Sequence, residues 1–426
     1  MNVTIIDSHQ QEKIYLISTK VTKSLQLMAF LVAGISSQLV KAESAFFAKA
    51  IDYTNVVSSV VRDFNQDGHD DFLICGHDPK DKVWYWTPQG YMPAAKALPS
   101  NWGDRHGCDS ADVNQDGRMD LYCMHGADQG GGYKSNQLYI QQQNGSLALK
   151  QGDFGAEDHW GRGRYPIFFK FNNDQYPDLY ITNFSTPRED GIPNINRVYV
   201  NSADGSGTFQ EVTTNATGPY GSKCIGKGDW NKDGFDDLVT CNDFYIKPGK
   251  LFENNGLLGF TDVTNTIYNG NALWKDAVLK DVNKDGLDDL IIISSNNYLE
   301  LRLNSGDGTR FSKVDYSEKL AYNANKVVVA DVNHDSVNDL YIVRSYKCGK
   351  SSVAQADGAP DILYLGPSWV KILIPQKNPG CGSNANVVDG DKILLMNGGW
   401  NWQGTNELVG DWDAFIRAYG LTPLSN

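Results

Sequence analysis

The chain has 426 residues, of which 41% are hydrophobic and 21% are charged, and its formal net charge at pH 7 is −13. This length exceeds that of one ordinary hydrophobic core and predicts several domains or one repeat array, while the composition excludes a disordered or fibrous chain. The excess of negative charge disfavours nucleic acid and anionic membranes as partners.

The first 42 residues predict a leader that contains a signal peptide. Lys20 and Lys23 precede an apolar stretch at residues 25–40, and small residues follow where a signal peptidase would cleave. Polar side chains within this stretch make a retained membrane span the weaker alternative, and no later segment is apolar enough to span a bilayer. A translation start at Met28 would instead remove the signal. We therefore predict a secreted, periplasmic or cell-surface protein with no transmembrane segment in the mature chain.

Six segments repeat one pattern, in which an alternating strand, an acidic turn and a second alternating strand follow one another. An intact turn has nine residues, with Asp at positions one, five and nine, Asn at position three, and Gly at position six except for Ser336 in the last turn. The spacing between turns is 49 to 59 residues, which suffices for four short strands per repeat. The intact turns occupy residues 63–71, 112–120, 229–237, 281–289 and 331–339, and a degenerate one occupies 170–178.

Residues after each turn predict two more strands per repeat, joined by hairpins rich in Gly and Asn. Residues 386–396 resemble a seventh repeat without its acidic turn, and residues 44–52 align with the last strand of a repeat. The repeats would then be the blades of a closed ring, and the N-terminal strand would complete the last blade. Closure of the ring removes exposed sheet edges. We predict that residues 43–426 form a single all-β domain, a β-propeller of seven four-stranded blades, six clear and one degenerate.

The acidic turns and the Phe-Gly hairpins resemble the FG-GAP or VCBS repeats of integrin α-subunit propellers and of related secreted bacterial and fungal proteins. The resemblance covers roughly residues 44–400. It implies a seven-bladed propeller with calcium in the turns between the first and second strands. The functions that it implies range from adhesion and glycan binding to polysaccharide cleavage.

The turns also have the chemistry of calcium sites, because calcium takes six to eight oxygen ligands from alternate residues of a tight loop. We expect side-chain ligands at positions one, three, five and nine and a backbone carbonyl at position seven. An EF-hand is excluded, since it needs flanking helices and a Glu at position twelve. Acidic turns without metal are the other alternative, and mutual repulsion disfavours them. The candidate ligands are Asp63, Asn65, Asp67, His69, Asp71, Asp112, Asn114, Asp116, Arg118, Asp120, Asp229, Asn231, Asp233, Phe235, Asp237, Asp281, Asn283, Asp285, Leu287, Asp289, Asp331, Asn333, Asp335, Val337 and Asp339.

The charge balance favours about five calcium ions (Ca2+). The five intact turns hold 18 acidic residues, and five divalent ions would nearly neutralise the net charge of −13. In the third blade Lys170 replaces the first ligand and Gln175 replaces the glycine, which predicts that this turn binds no calcium. We expect the Lys170 ammonium to pair with Asp174 and Asp178 instead.

Two cysteine pairs flank the second and fourth turns in one shared register. In each pair, one cysteine stands four or five residues before the first Asp of the turn and its partner stands eleven or twelve residues after it. Such residues face each other across two antiparallel strands, which predicts disulfides and an oxidising compartment. The remaining Cys75 is expected to be a buried free thiol. The predicted pairs are Cys108 with Cys123, Cys224 with Cys241, and Cys348 with Cys381.

Aromatic and basic residues recur in the loops on the face opposite the acidic turns. Such residues suit a glycan, because rings stack on sugar faces while neighbouring groups donate hydrogen bonds. Packing of the Trp side chains between blades is the alternative, and a metal or acid-base site at His77, His106, His125 and His159 is another. The candidate ligand-binding residues are Trp102, Arg105, His106, His159, Trp160 and Arg162.

The sequence has none of the common hydrolase, metalloprotease or phosphate-binding motifs. We therefore predict a monomeric binding or adhesion module whose partner is a glycan or an extracellular protein. A polysaccharide lyase or glycosidase on the same scaffold is the runner-up, and a purely structural propeller is the third hypothesis, because fold alone does not decide function.

Overall fold

The computed structural model describes residues 47–51, 56–76, 82–94, 98, 104–126, 134–184, 194–213, 222, 224–241, 248–268, 270, 273–320, 323–345, 361–374, 384–388, 392–396 and 406–409. Within these ranges the chain forms 28 β-strands and one short helix, α1 (Thr264–Ile267). No helix in the same ranges is long and apolar enough to cross a membrane. The predicted leader at residues 1–42 lies outside them.

Strand β1 (Phe47–Ile51) precedes the first three blades, each of which has four strands in sequence order. Blade one has β2 (Val56–Arg62), β3 (Asp71–Gly76), β4 (Lys82–Tyr85) and β5 (Met92–Pro93). Blade two has β6 (Arg105–Ala111), β7 (Asp120–His125), β8 (Gln137–Gln141) and β9 (Leu147–Leu149). Blade three has β10 (Gly163–Phe169), β11 (Asp178–Asn183), β12 (Arg197–Asn201) and β13 (Phe209–Glu211).

The next three blades repeat this order, and three strands follow them. Blade four has β14 (Ile225–Gly228), β15 (Asp237–Thr240), β16 (Lys250–Asn254) and β17 (Phe260–Asp262), after which comes α1. Blade five has β18 (Trp274–Lys280), β19 (Asp289–Ser294), β20 (Tyr298–Asn304) and β21 (Phe311–Lys319). Blade six has β22 (Asn323–Ala330), β23 (Asp339–Ser345), β24 (Asp361–Leu365) and β25 (Val370–Ile374). The last strands are β26 (Asn384–Val388), β27 (Lys392–Met396) and β28 (Asn406–Val409).

The six blades form a β-propeller. Within each blade the strands pair antiparallel with their sequence neighbours. The first strands of successive blades, from β2 to β22, lie against one another and are therefore innermost. The acidic turns join the first and second strands, as the repeat pattern predicts. These observations confirm the prediction of an all-β propeller with four-stranded blades for the six repeats that carry a turn.

The remaining four strands pair with one another in the order β1, β28, β27 and β26. Strand β1 pairs antiparallel with β28, so the N-terminal strand lies at one edge of this sheet and β26 lies at the other. Strand β26 contacts β2 of blade one and β22 of blade six.

The second strand of a blade is the most buried part of the fold. All six residues of β3, β7, β11 and β19 are buried. Such a strand lies within a sheet that has a neighbouring sheet on each face, and both of its faces are therefore buried. Between blades two and three, Tyr122 lies edge-on to Phe154 and Phe168, with ring centroids 6.4 and 6.3 Å away. Interlocking aromatic contacts of this kind hold the blades together.

Candidate functional site

The side chains at the start of each intact turn bind the backbone of the same turn. In the first turn, Asp63 accepts hydrogen bonds from the N–H groups of Asp67 and Gly68, at 3.1 and 2.9 Å. Asn65 accepts one from Asp67 at 3.0 Å. The backbone at Gln66 and Gly68 is left-handed, with φ of 61° and 88°, which is why glycine suits position six. The oxygens of positions one, three and five are thereby held within a single tight loop.

The Asn at position three also donates from its amide nitrogen to the Asp at position five. This hydrogen bond is 2.9 to 3.1 Å long and recurs in all five intact turns. In the described part of the chain, no turn gathers three carboxylates within 4.8 Å of one another. In this structure the turns are therefore closed by their own hydrogen bonds.

The Asp at position nine links its turn to the third strand of the same blade. One carboxylate oxygen accepts the N–H of position two, at 3.0 to 3.3 Å. The other accepts an N–H from the end of the third strand or the residue after it, at 2.8 to 2.9 Å. Because this carboxyl group is buried, its pKa is raised in every blade. The pKa is about 6 for Asp71 and Asp289, about 7 for Asp120, Asp178 and Asp339, and about 8 for Asp237.

Sequence reasoning missed this structural role of position nine, which it treated only as a calcium ligand. The signal was available, because the degenerate turn of blade three keeps Asp178 although it lacks the first ligand. In the structure, Asp178 accepts from Phe171 and Asn201 in the same way as its counterparts do.

Side chains at position seven make different contacts in different turns. His69 stacks on Trp86 with ring centroids 3.6 Å apart. The guanidinium of Arg118 pairs with Asp116 of its own turn, and its Nε donates to the carbonyl of Gln141 at 3.0 Å. Leu287 and Val337 are buried, and Phe235 packs beside Lys170 of the neighbouring blade.

The degenerate turn differs from its expected arrangement. The Lys170 ammonium lies 5.4 Å from the ring centroid of Phe235, a cation–π distance. Among the described residues, it forms no ion pair with Asp174 or Asp178, so that prediction was wrong. The carboxylate of Asp174 instead accepts the N–H of Tyr176 at 2.8 Å. Phe235 belongs to the turn of blade four. The Lys170 ammonium therefore lies next to the turn of blade four and not among the carboxylates of the blade-three turn.

Both described cysteine pairs lie face to face across the first two strands of their blades. Cys108 is the register partner of Cys123, with Cα atoms 4.1 Å apart and the sulfurs bonded. Cys224 and Cys241 are also bonded, with a Cα separation of 5.0 Å. Cys75 is a buried thiol opposite Ser58. Cys348 and Cys381 lie outside the described residues.

The predicted ligand-binding residues separate into two groups. Arg105 is only 2% exposed and donates to Gln137 and Tyr139, at 3.0 and 2.7 Å, so it holds blade two together and does not face a ligand. The Nε2 of His106 is hydrogen-bonded to the carboxylate of Asp104 at 2.9 Å, and the guanidinium of Arg162 lies over the ring of Phe184. Trp102 and His77 lie outside the described residues.

His159 and Trp160 line a groove beside blade two, which we call the Trp160 groove. Its volume is about 880 Å³, and half of the Trp160 side-chain surface is exposed. His159 Nδ1 lies 2.6 Å from the hydroxyl oxygen of Ser135. The groove is lined by Lys134, Ser135, Asn136, Gln137, Leu149, Lys150, Gly152, Asp153, Phe154, Glu157, His159 and Trp160.

The Trp160 groove lies on the face opposite the acidic turns. At the turn end of blade two, Asp120 accepts from Gln141, the last residue of β8. At the other end, His125 donates its N–H to Asn136, which precedes β8 and lines the groove. The structure therefore places His159 and Trp160 on the face where the sequence predicts ligand binding.

A family model described as FG-GAP-like repeat matches residues 63–123, 170–240, 229–292 and 281–342, which together make up more than half of the chain. The chain belongs to the FG-GAP-like repeat family. Each matched FG-GAP segment begins at the first position of a turn and ends within the second strand of the following blade. One begins at Lys170, so the family pattern includes the degenerate turn.

Solved structures similar to this FG-GAP protein support the fold. A crystal structure of BBS1N in complex with ARL6DN has a TM-score of 0.53 and 12% identity, and the match covers 86% of this chain and 96% of that one. A structure of YCF48 bound to D1 peptide has a TM-score of 0.52 and 9% identity, with 85% and 94% of the two chains covered. At such identities the likeness concerns the fold alone. A comparison with curated proteins found no match.

Proposed function

We propose that this FG-GAP propeller is a binding module whose ligand occupies the Trp160 groove. The observation that carries this proposal is the half-exposed indole of Trp160 in a concave site on the face away from the turns. Ligand sites are concave and combine aromatic rings with a few polar groups, as this groove does.

A glycan is the ligand class that the groove suits best. The indole offers a flat apolar surface for a sugar ring, and His159, Ser135 and Lys134 surround it with hydrogen-bonding groups. Asp153 and Glu157 lie in the same groove, so its charge is mixed. Mixed charge favours a neutral sugar chain over a strongly anionic one.

A protein segment is the second candidate. Two propellers of similar fold are known in complex with a protein or peptide, BBS1N with ARL6DN and YCF48 with the D1 peptide. Propellers that present a groove on one face can hold an extended segment through an aromatic anchor.

Substitution of the exposed ring tests both candidates. We expect Trp160→Ala to weaken ligand binding about tenfold or more, because a buried aromatic anchor typically carries a large share of the binding energy. The matched control is Tyr298→Ala, which removes a 39% exposed ring at the start of the third strand of blade five and should leave binding unchanged.

Labelled protein is applied in parallel to a glycan array and to a peptide library. Binding to glycans that is lost only in Trp160→Ala supports the first candidate, and the same pattern with peptides supports the second. Binding that survives Trp160→Ala would place the site elsewhere. A large fall in the melting temperature of Trp160→Ala would instead show that this side chain is packing.

We also propose that the five intact turns bind calcium. The donor set fits, because positions one, three, five and nine supply carboxylate and amide oxygens and position seven supplies a carbonyl, all from one tight loop. A bound ion would supply positive charge between side chains that otherwise repel, and would replace the Asn-to-Asp hydrogen bond as the closure of the turn. In blade three, Lys170 stands at position one, and we propose that this turn remains without calcium.

A seventh blade and an extracellular location complete the proposal. Strand β26 contacts both β2 and β22, which supports its role as the innermost strand of a blade that closes the ring. The N-terminal strand β1 would then lie at the outer edge of that blade, as the repeat alignment predicts. Two bonded cysteine pairs support an oxidising compartment.

A further inference from the structure

Three buried cysteines meet at the boundary between blades one and two. Cys75 comes from β3 of blade one, whereas Cys108 and Cys123 come from β6 and β7 of blade two. Their sulfur atoms all lie within 4.8 Å of one another. The Sγ of Cys75 lies 3.0 Å from the Sγ of Cys108, so the Cys75 thiol touches the disulfide of the neighbouring blade.

The other described disulfide has a different neighbour. Cys224 and Cys241 pair in the same register in blade four but stand one residue farther from the turn, and the third group within 4.8 Å of their sulfurs is the carboxylate of Asp276 from blade five. A carboxylate does not exchange with a disulfide, whereas a thiolate does. The two disulfides therefore share one register and differ in whether a thiol lies next to them.

We propose that Cys75, Cys108 and Cys123 form a thiol–disulfide exchange site. The thiolate of Cys75 attacks the Sγ of Cys108, and a new bond forms between these two sulfurs. The bond between Cys108 and Cys123 breaks, its electron pair leaves on the Cys123 sulfur, and that sulfur takes up the proton that Cys75 lost. One disulfide and one thiol are present before and after, so the step requires no oxidant or reductant.

Exchange moves the covalent link from within a blade to between two blades. In the starting state the disulfide joins β6 to β7, and in the product it joins β3 to β6. The second state ties blade one to blade two. The cluster around the sulfurs is apolar and includes Leu73 and Leu121, surroundings in which a thiolate forms rarely. The exchange is therefore slow near neutral pH and faster at alkaline pH.

Trapping the disulfides of the full chain tests this site. The protein is held at pH 8.5 or pH 5, its free thiols are blocked with N-ethylmaleimide in denaturant at pH 5, and unreduced peptides are identified by mass spectrometry. We expect a peptide that joins Cys75 to Cys108 to accumulate at pH 8.5 and to be lost completely in Cys75→Ser. A bond between Cys108 and Cys123 alone, at both pH values, would overturn the proposal.

A second pair of variants isolates the contact between the blades. In Cys123→Ser, oxidised glutathione as electron acceptor should link Cys75 to Cys108. In the matched Cys241→Ser, Cys224 should remain a blocked monothiol or a glutathione adduct, because no thiol of the described residues lies beside it. Recovery of Cys75 and Cys108 as separately blocked thiols would contradict the proposal. If Cys123→Ser does not fold, the measurement on the unmodified chain decides.

Discussion

The asparagine at position three of a turn is the residue that most sharply distinguishes a metal-free from a metal-bound state. In the fourth blade, the amide nitrogen of Asn231 donates to the carboxylate of Asp233 at 3.1 Å. This N–H donor partly compensates the carboxylate charge. The oxygen of the same amide group would be a neutral ligand for calcium in place of a carboxylate.

Asn231→Asp should therefore have opposite effects in two buffers. With chelator, the substitution exchanges a hydrogen-bond donor for a second negative charge beside Asp233 and should lower stability by about 1 kcal/mol. With calcium, it adds a charged ligand and should raise calcium affinity. Thermal unfolding in chelator and in calcium measures both effects. The control is Asn172→Asp in blade three, which should show no gain in calcium. Equal shifts in both buffers would contradict calcium binding by this turn.

In each blade the Asp at position nine links the acidic turn to the third strand. In blade three, for which we propose no metal, this link can be studied by itself. Asp178 accepts the N–H of Phe171 at the turn and of Asn201 at the end of β12, at 3.2 and 2.9 Å. Burial raises the pKa of Asp178 to about 7. The ordinary pKa of an unfolded Asp is about 3.9.

This raised pKa predicts the direction of a pH effect on blade three. The folded state binds more protons than the unfolded state between about pH 4 and pH 7, so the contribution of Asp178 to stability falls as pH rises through that window, by about 1 kcal/mol per pH unit. The stability difference between the unmodified chain and Asp178→Asn, measured by urea unfolding from pH 5 to pH 8, should therefore shrink with pH. A difference that grows with pH would show that the folded state depresses this pKa.

The elements of the blades could be predicted because their signals are local. Alternation, the nine-residue turn and the cysteine spacing fix which strands pair and in what register, as the opposition of Cys108 and Cys123 shows. The contacts of single side chains could not be predicted, because they depend on residues that are distant in sequence. Arg105 is buried against Tyr139 of the same blade, and the Lys170 ammonium lies over the ring of Phe235 of the next blade.

Hydrogen bonds join the turns of successive blades to one another. Gln66 donates to the carbonyl of Gly117 at 2.5 Å, Gln115 donates to that of Gln175 at 2.6 Å, and Lys284 donates to that of Asp335 at 2.9 Å. Each of these bonds runs from position four of one turn to the turn of the next blade. Ordering of one turn should therefore help to order its neighbours, so calcium that holds single turns would also hold the face of the propeller together.

Calcium binding by the full chain, with the melting temperature followed in calcium and in chelator, tests the proposed metal sites. We predict about five bound ions and a lower melting temperature in chelator, because the carboxylates of the turns then repel one another. Asp67→Ala and Asp285→Ala should each remove one ion and leave the others bound. A chain that binds no calcium and melts at the same temperature in both buffers would show that the turns are not calcium sites.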